Sequence, residues 1–154
     1  MARKRKKLKP LRFVTHSHRV ALMARHYGWL PGARYTNLRD VRRFNEIGFL
    51  DIDWKNYDFK KHLEAVKATE PLMTVAQDIE NRRDLARVLD QAGELLLYSR
   101  HVVIVPKDAR LADELEAMIP EEFVLGYSVP TRYGKTSICP ERFKRPVHLL
   151  GEQN

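Results

Sequence analysis

The chain has 154 residues, 44 % of them hydrophobic, which supports one real core and leaves no room for a second domain of useful size. Its net charge of +8 is concentrated at the start, where Arg3, Lys4, Arg5, Lys6, Lys7 and Lys9 supply six units. The single cysteine, Cys139, excludes an intrachain disulfide framework and a multi-cysteine zinc site, and it fits a reducing, cytoplasmic setting. Residues 1–10 are expected to form a disordered basic tail able to lie along phosphates, and residues 11–154 one α/β barrel-like domain. Arg12, His16, His18 and Arg19 break the sequence after the tail, so neither a signal peptide nor a membrane span is expected.

Along the chain, strand and helix patterns alternate. LRFVT (11–15) reads as a strand, after which Val20, Met23, Ala24 and Tyr27 recur at helical spacing until Gly28 and Pro31-Gly32 stop the pattern. GFLDI gives a second strand, following a stretch rich in Arg39, Arg42 and Arg43. Phe59, Leu63 and Val66 mark a helix face ended by Pro71, and LMTVA returns as a strand. Leu85, Val88, Leu89, Ala92 and Leu96 form a longer amphipathic stripe, HVVIV an almost continuous apolar strand, and Leu111, Leu115 and Met118 a short helix before Pro120. FVLGYS and PVHLLG complete six expected strands.

The later strands start about 20–30 residues apart, the length of a strand, a crossover helix and a return. Near-continuous apolar strands between helices indicate a mostly parallel sheet covered on both faces. A closed eight-stranded α/β barrel needs about 250 residues. The expected fold is therefore an incomplete or compact TIM-like (β/α) barrel, with an open doubly wound sheet as the other solution. The last strand is followed only by Gly151-Glu152-Gln153-Asn154, which suggests a self-associating edge or a shortened ancestor.

Candidate chemistry collects where strands end, as it does on the carboxyl rim of parallel α/β folds. Asp51 and Asp53 share side-chain parity after FLDID, and Asp78 ends the next strand. Three carboxylates on one rim would raise at least one pKa by repulsion, which suits acid/base or nucleophilic work. Alternatively, Asp53 and Asp78 cap the segments that follow them. Lys107 and Tyr127-Ser128 occupy equivalent strand ends.

His16 and His18 follow the first strand and offer a weaker reading, a metal-dependent hydrolase in which both bind one ion. A loop leading into the helix explains them as well, and no metal is assigned. The loop from Gly126 to Gly134 is the richest in the chain. Gly126 permits close approach of a ligand, Tyr127 and Tyr133 offer stacking surfaces, and Arg132 a phosphate contact. No Walker loop, Rossmann glycine pattern or Gly-x-Ser-x-Gly elbow is present, and no cofactor is indicated.

FLDIDW, VAQDIE, VIVPKD, FVLGYSVPTRYG and RPVHLLG, in that order and spacing, resemble the tRNA-guanine transglycosylase superfamily over about residues 45–151. The nearest likeness is to short phage and archaeal relatives similar to 7-deazaguanine DNA-modification transglycosylases. The resemblance implies an α/β barrel that exchanges guanine for a 7-deazaguanine base in DNA or tRNA through a covalent glycosyl–enzyme intermediate. It implies a cytoplasmic protein, in the host cytoplasm if phage-encoded. Asp51 or Asp53 would handle protons, Asp78 would bond the base edge, and Lys107 would stand where the tRNA enzymes place a base-reading glutamine. Gly126 and Tyr127, with Ser128 and Tyr133, would lie at the bound base, and the glycine-containing end of PVHLLG would border the sugar. Relatives with that ending continue to an aspartate matching the nucleophile. The resemblance therefore implies a partner subunit or second copy that completes the barrel, or a nucleophilic role for one of Asp51, Asp53 and Asp78. A non-catalytic nucleic-acid-binding protein of the same descent is the second expectation. In either case the tail and Arg39, Arg42, Arg43 and Arg132 would hold phosphates.

Overall fold

The computed structural model describes residues 10–130 and 136–151. Arg3, Lys4, Arg5, Lys6, Lys7, Arg132 and Tyr133 lie outside the described residues. The chain forms β1 (Phe13–Thr15), α1 (His18–Arg25), β2 (Leu30–Arg34), β3 (Phe49–Asp51), α2 (Phe59–Thr69), β4 (Met73–Val75), α3 (Leu85–Leu96), β5 (His101–Ile104), α4 (Leu115–Met118), β6 (Val124–Ser128) and β7 (Val147–Leu150), with three short 3-10 turns between them. All seven strands belong to one sheet in the order β1 to β7, and every neighbouring pair is parallel. Each strand thus lies beside the next one in sequence, which is barrel winding. The rings of Phe13 on β1, Phe49 on β3 and His148 on β7 meet with centroids 5.4–5.7 Å apart, so the sheet curls until its two ends face each other. Among the described residues β1 and β7 do not pair. The fold is an α/β barrel lacking closure.

Seven strands form where six were expected, because LPGAR is β2 and not a helix stop. Pro31 and Gly32 argue against an interior strand, since proline cannot donate to a ladder and glycine weakens it. Here neighbouring donors carry the pairing. Leu30 N–H donates to Arg12 O at 2.9 Å, and Gly48 N–H donates to Pro31 O at 2.8 Å. Gly32 is required by close approach, because a Cβ there would stand 2.7 Å from Thr15 Oγ1 and 3.1 Å from Phe49 O. The remaining strands are shorter than their apolar runs suggest, and α1 ends at Arg25 before a turn in which Gly28 takes φ +79.

Strand side chains alternate between the helices and the barrel interior. Leu50, Thr74, Val102, Ile104 and Leu125 face outward and are fully buried in the layer shared with α2 and α3. Leu85, Val88, Ala92 and Leu95 supply the matching stripe on α3. Inside, Val75, Val103, Val105 and Gly126 fill the barrel below its rim. A Cβ at Gly126 would come within 2.6 Å of Val103 and 2.8 Å of Val105, so this glycine serves strand packing.

Thr74 would be a costly outward-facing residue without partners, and it has them. Its hydroxyl donates to Leu50 O at 2.7 Å and accepts from His62 Nε2 at 2.9 Å, which leaves His62 Nδ1 to accept from the Tyr57 hydroxyl at 2.9 Å. Burial holds His62 neutral and pulls its pKa down to about 4. The Tyr35 ring stacks on it with centroids 5.2 Å apart.

Candidate active site

The carboxyl ends of the strands surround a cleft of about 1040 Å³. Its floor is the ring cluster of Phe13, Phe49 and His148; its walls carry Asp51, Asp78, Glu80 and Lys107 from β3 onward and, next to Asp51, Arg34 with Thr15 and His16 from β2 and β1. It also runs along the open seam between β1 and β7, where Leu11, Arg12, Leu149 and Leu150 line it.

Asp51 points inward because it shares parity with Phe49 on β3. Its Oδ1 accepts the N–H of Ile52 at 2.8 Å. Burial pushes its carboxyl pKa up, against the lowering effect of that bond and of Arg34, and the charge of Asp78 adds to the rise. Asp53 lies beyond the end of β3, so the parity expected to hold it beside Asp51 does not extend that far. Its Oδ1 accepts from Lys55 N at 3.3 Å, a local turn bond of the capping kind.

Asp78 reaches the cleft through a bulge. Val75 is paired with Val103, and pairing resumes at Ile79 with Pro106, so β4 advances four residues while β5 advances three. One extra residue reverses the facing of everything after it. Gln77 consequently lies on the helix side, where its side chain accepts from Arg87 at 2.9 Å, and Asp78 turns inward. Lys107 N–H bonds to Ile79 O at 3.1 Å, and its Nζ lies 2.7 Å from Asp78 and 3.3 Å from Glu80. Lys107 and Asp78 are only 13 % and 20 % exposed, so the pair is largely withdrawn from water. Burial drives the Asp78 pKa up despite the bond from Lys107. Burial alone would lower Lys107, but its bonds and the charges of Asp78 and Glu80 leave it raised.

Ser128 also lines the cleft, with its N–H donating to Thr136 Oγ1 at 3.0 Å. Tyr127 alternates to the other face and packs edge-on against Phe143 at 5.6 Å. His16 and His18 have different neighbours. His16 lines the cleft, whereas His18 Nδ1 meets Asp40 O at 3.0 Å and its ring packs on Phe44 at 5.0 Å. Among the described residues no group of three or more His, Cys, Asp or Glu side chains is placed to hold a metal ion. Arg39, Arg42 and Arg43 are exposed, away from the cleft lining.

A family model matches residues 24–154, under the description family of unknown function. The chain belongs to DUF6610. No curated protein and no solved structure matches it. For this DUF6610 member the geometry is therefore the main guide. Three further residues line the cleft and were given no role from the sequence: Arg34, His148 and Trp54, the last 48 % exposed. Parity along β7 would have found His148 beside Leu150, but Arg34 needed β2 to be recognised as a strand. Among the described residues no helix is long and apolar enough to cross a membrane.

Proposed function

We propose that this protein exchanges guanine for a 7-deazaguanine base in nucleic acid, DNA or tRNA, as a transglycosylase. The observation that carries the reading is the placement of Asp51 and Asp78, two inward carboxyls with pKa values raised by burial, above a floor of stacked rings. Base exchange needs these groups. A flipped guanine presents a flat face for stacking and N–H donors for carboxylates. Breaking the C1′–N9 bond builds positive charge on the sugar; one carboxylate oxygen bonds C1′ and a proton passes to the departing base. The incoming base then displaces the carboxylate and gives up its own N9 proton. Asp51, held toward the protonated form, is suited to carry the proton. Asp78, fixed by Lys107, is suited to bond the base edge. The formal charge of +8 favours a polyanion. The edges of β1 and β7, unpaired among the described residues, give a partner strand, or a second copy, a place to close the barrel and bring in a further carboxylate.

The test is release of radiolabelled guanine from duplex DNA and from tRNA by the purified chain, with binding measured in parallel. Exchange on one polymer that collapses in Asp78→Asn while affinity persists supports the reading. Exchange unaffected by both Asp51→Asn and Asp78→Asn overturns the site. Absence of both exchange and binding at low salt overturns the nucleic-acid reading.

A further inference from the structure

The cleft is electrically divided. Of its four acids, Asp51, Asp78 and Glu80 come from β3 and the segment after β4, and Asp40 from the segment after β2. Lys107 is committed to two of them. Beside them, on the lip built around the ends of β1 and β2, Arg34 ends β2 in register with Asp51, yet among the described residues no ion pair joins the two and the guanidinium makes no hydrogen bond or ion pair. Three other arginines near acids are engaged. Arg82 bonds Glu114 through two nitrogens, Arg110 bonds Asp108, and Arg87 lies 3.6 Å from Asp84.

Two donors flank Arg34. Thr15 is in register with Gly32, which puts the residues just after β1 level with Arg34. There the Ser17 N–H donates to His16 Nδ1 at 2.8 Å, so the ring proton of neutral His16 is on Nε2 and is available as a donor at the cleft wall. Asn37, whose N–H bonds to Arg34 O at 2.9 Å, lines the same lip with a side-chain amide. The one carboxylate on this lip, Asp40, lies 3.5 Å from Arg39.

We infer that Arg34, His16 and Asn37 form a phosphate subsite, which holds the phosphate attached to the guanine nucleotide whose base meets Asp51 and Asp78. The inference rests on the proposed base site and adds the contact that makes a nucleotide, not a free base or nucleoside, its preferred ligand. A guanidinium fork with two further donors matches the three or more acceptors of a phosphate.

Calorimetric titration of the full chain with guanosine, 5′-GMP, a trinucleotide with central guanine, and inorganic pyrophosphate tests this. Wild type is expected to bind 5′-GMP or the trinucleotide at least about tenfold more tightly than guanosine, as a charge-assisted contact provides, with the advantage lost in Arg34→Gln and reduced in Asn37→Ala. A preference for 5′-GMP identifies a terminal phosphate, and one for the trinucleotide a backbone diester. Equal affinity for guanosine and both phosphorylated ligands overturns the subsite and leaves the base site standing. Pyrophosphate binding lost in Arg34→Gln, with no guanosine binding, keeps the subsite and discards the base site. An advantage of phosphate that survives Arg34→Gln overturns the assignment to this lip. Arg34 is exposed, so unchanged melting of the variant separates lost binding from lost folding.

Discussion

Two groups of buried polar side chains lie on opposite faces of the same strands and differ in how they are satisfied. On the helix face, Tyr57, His62 and Thr74 form a directed chain of hydrogen bonds ending on the carbonyl of Leu50, with both His62 nitrogens used. One residue further along β3, on the barrel face, Asp51 makes a single hydrogen bond among the described residues, to its neighbour's N–H, and has a carboxyl pushed toward protonation. A fully bonded neutral network rigidifies a core, while a partly satisfied ionisable group costs stability and is retained where it does chemistry. The helix face is scaffold and the barrel face is site, and substitutions on each should separate stability from activity.

The largest separation is expected from Asp78→Asn. Removing the carboxyl that bonds the base edge should lower exchange about a thousandfold, the upper range for one preorganised polar group, with little change in melting temperature because Glu80 still pairs with Lys107. Next is His62→Ala, which deletes a fully buried ring and leaves Tyr57 and Thr74 without their partner. It should cost about 4 kcal/mol in denaturant unfolding. Any folded fraction should keep normal exchange. Loss of exchange at full stability would join the two faces and break the comparison.

Acid provides a third test. His62 is neutral when folded, with a pKa near 4 against an ordinary value of 6.5. The unfolded chain therefore binds one more proton between these values, and stability falls as pH drops through that window. The depression corresponds to about 3 kcal/mol, fully present above pH 6.5 and lost near pH 4. Urea unfolding across this range should show the loss in wild type and a shallower one in His62→Gln.

How much of this was legible in the sequence follows from particular residues. The alternation of apolar runs with helical stripes revealed parallel winding and an incomplete barrel, because Val102 to Val105 and the α3 stripe are unambiguous in period. β2 was not legible, since Pro31 and Gly32 carry the signal of a turn and only neighbouring strands make them acceptable. Asp51 and Asp78 could be noticed as strand-end acids. That Asp78 faces the cleft depends on one extra residue in β4, and that Asp53 does not line it depends on β3 stopping at Asp51; neither fact has a local signature. The same limit applies to Tyr127, whose outward facing follows from its parity against Gly126 and Ser128 once the strand is in register.

The smallest effect is also the most specific to the contrast between the faces. Because burial raises the Asp51 pKa, the folded chain holds that proton more tightly than the unfolded one, so its contribution favours folding at low pH and is lost as pH rises through the folded value. Once ionised, the buried carboxyl is a liability. Asp51→Asn keeps an acceptor for the Ile52 N–H and removes the charge, and should stabilise by about 1 kcal/mol at pH 7 while abolishing exchange. Below about pH 4, where the carboxyl is neutral in both states, the gain should vanish. A variant that is instead less stable at pH 7 would show that Arg34 holds Asp51 as a carboxylate, and would move this residue from the chemistry of the cleft into the scaffold that supports it.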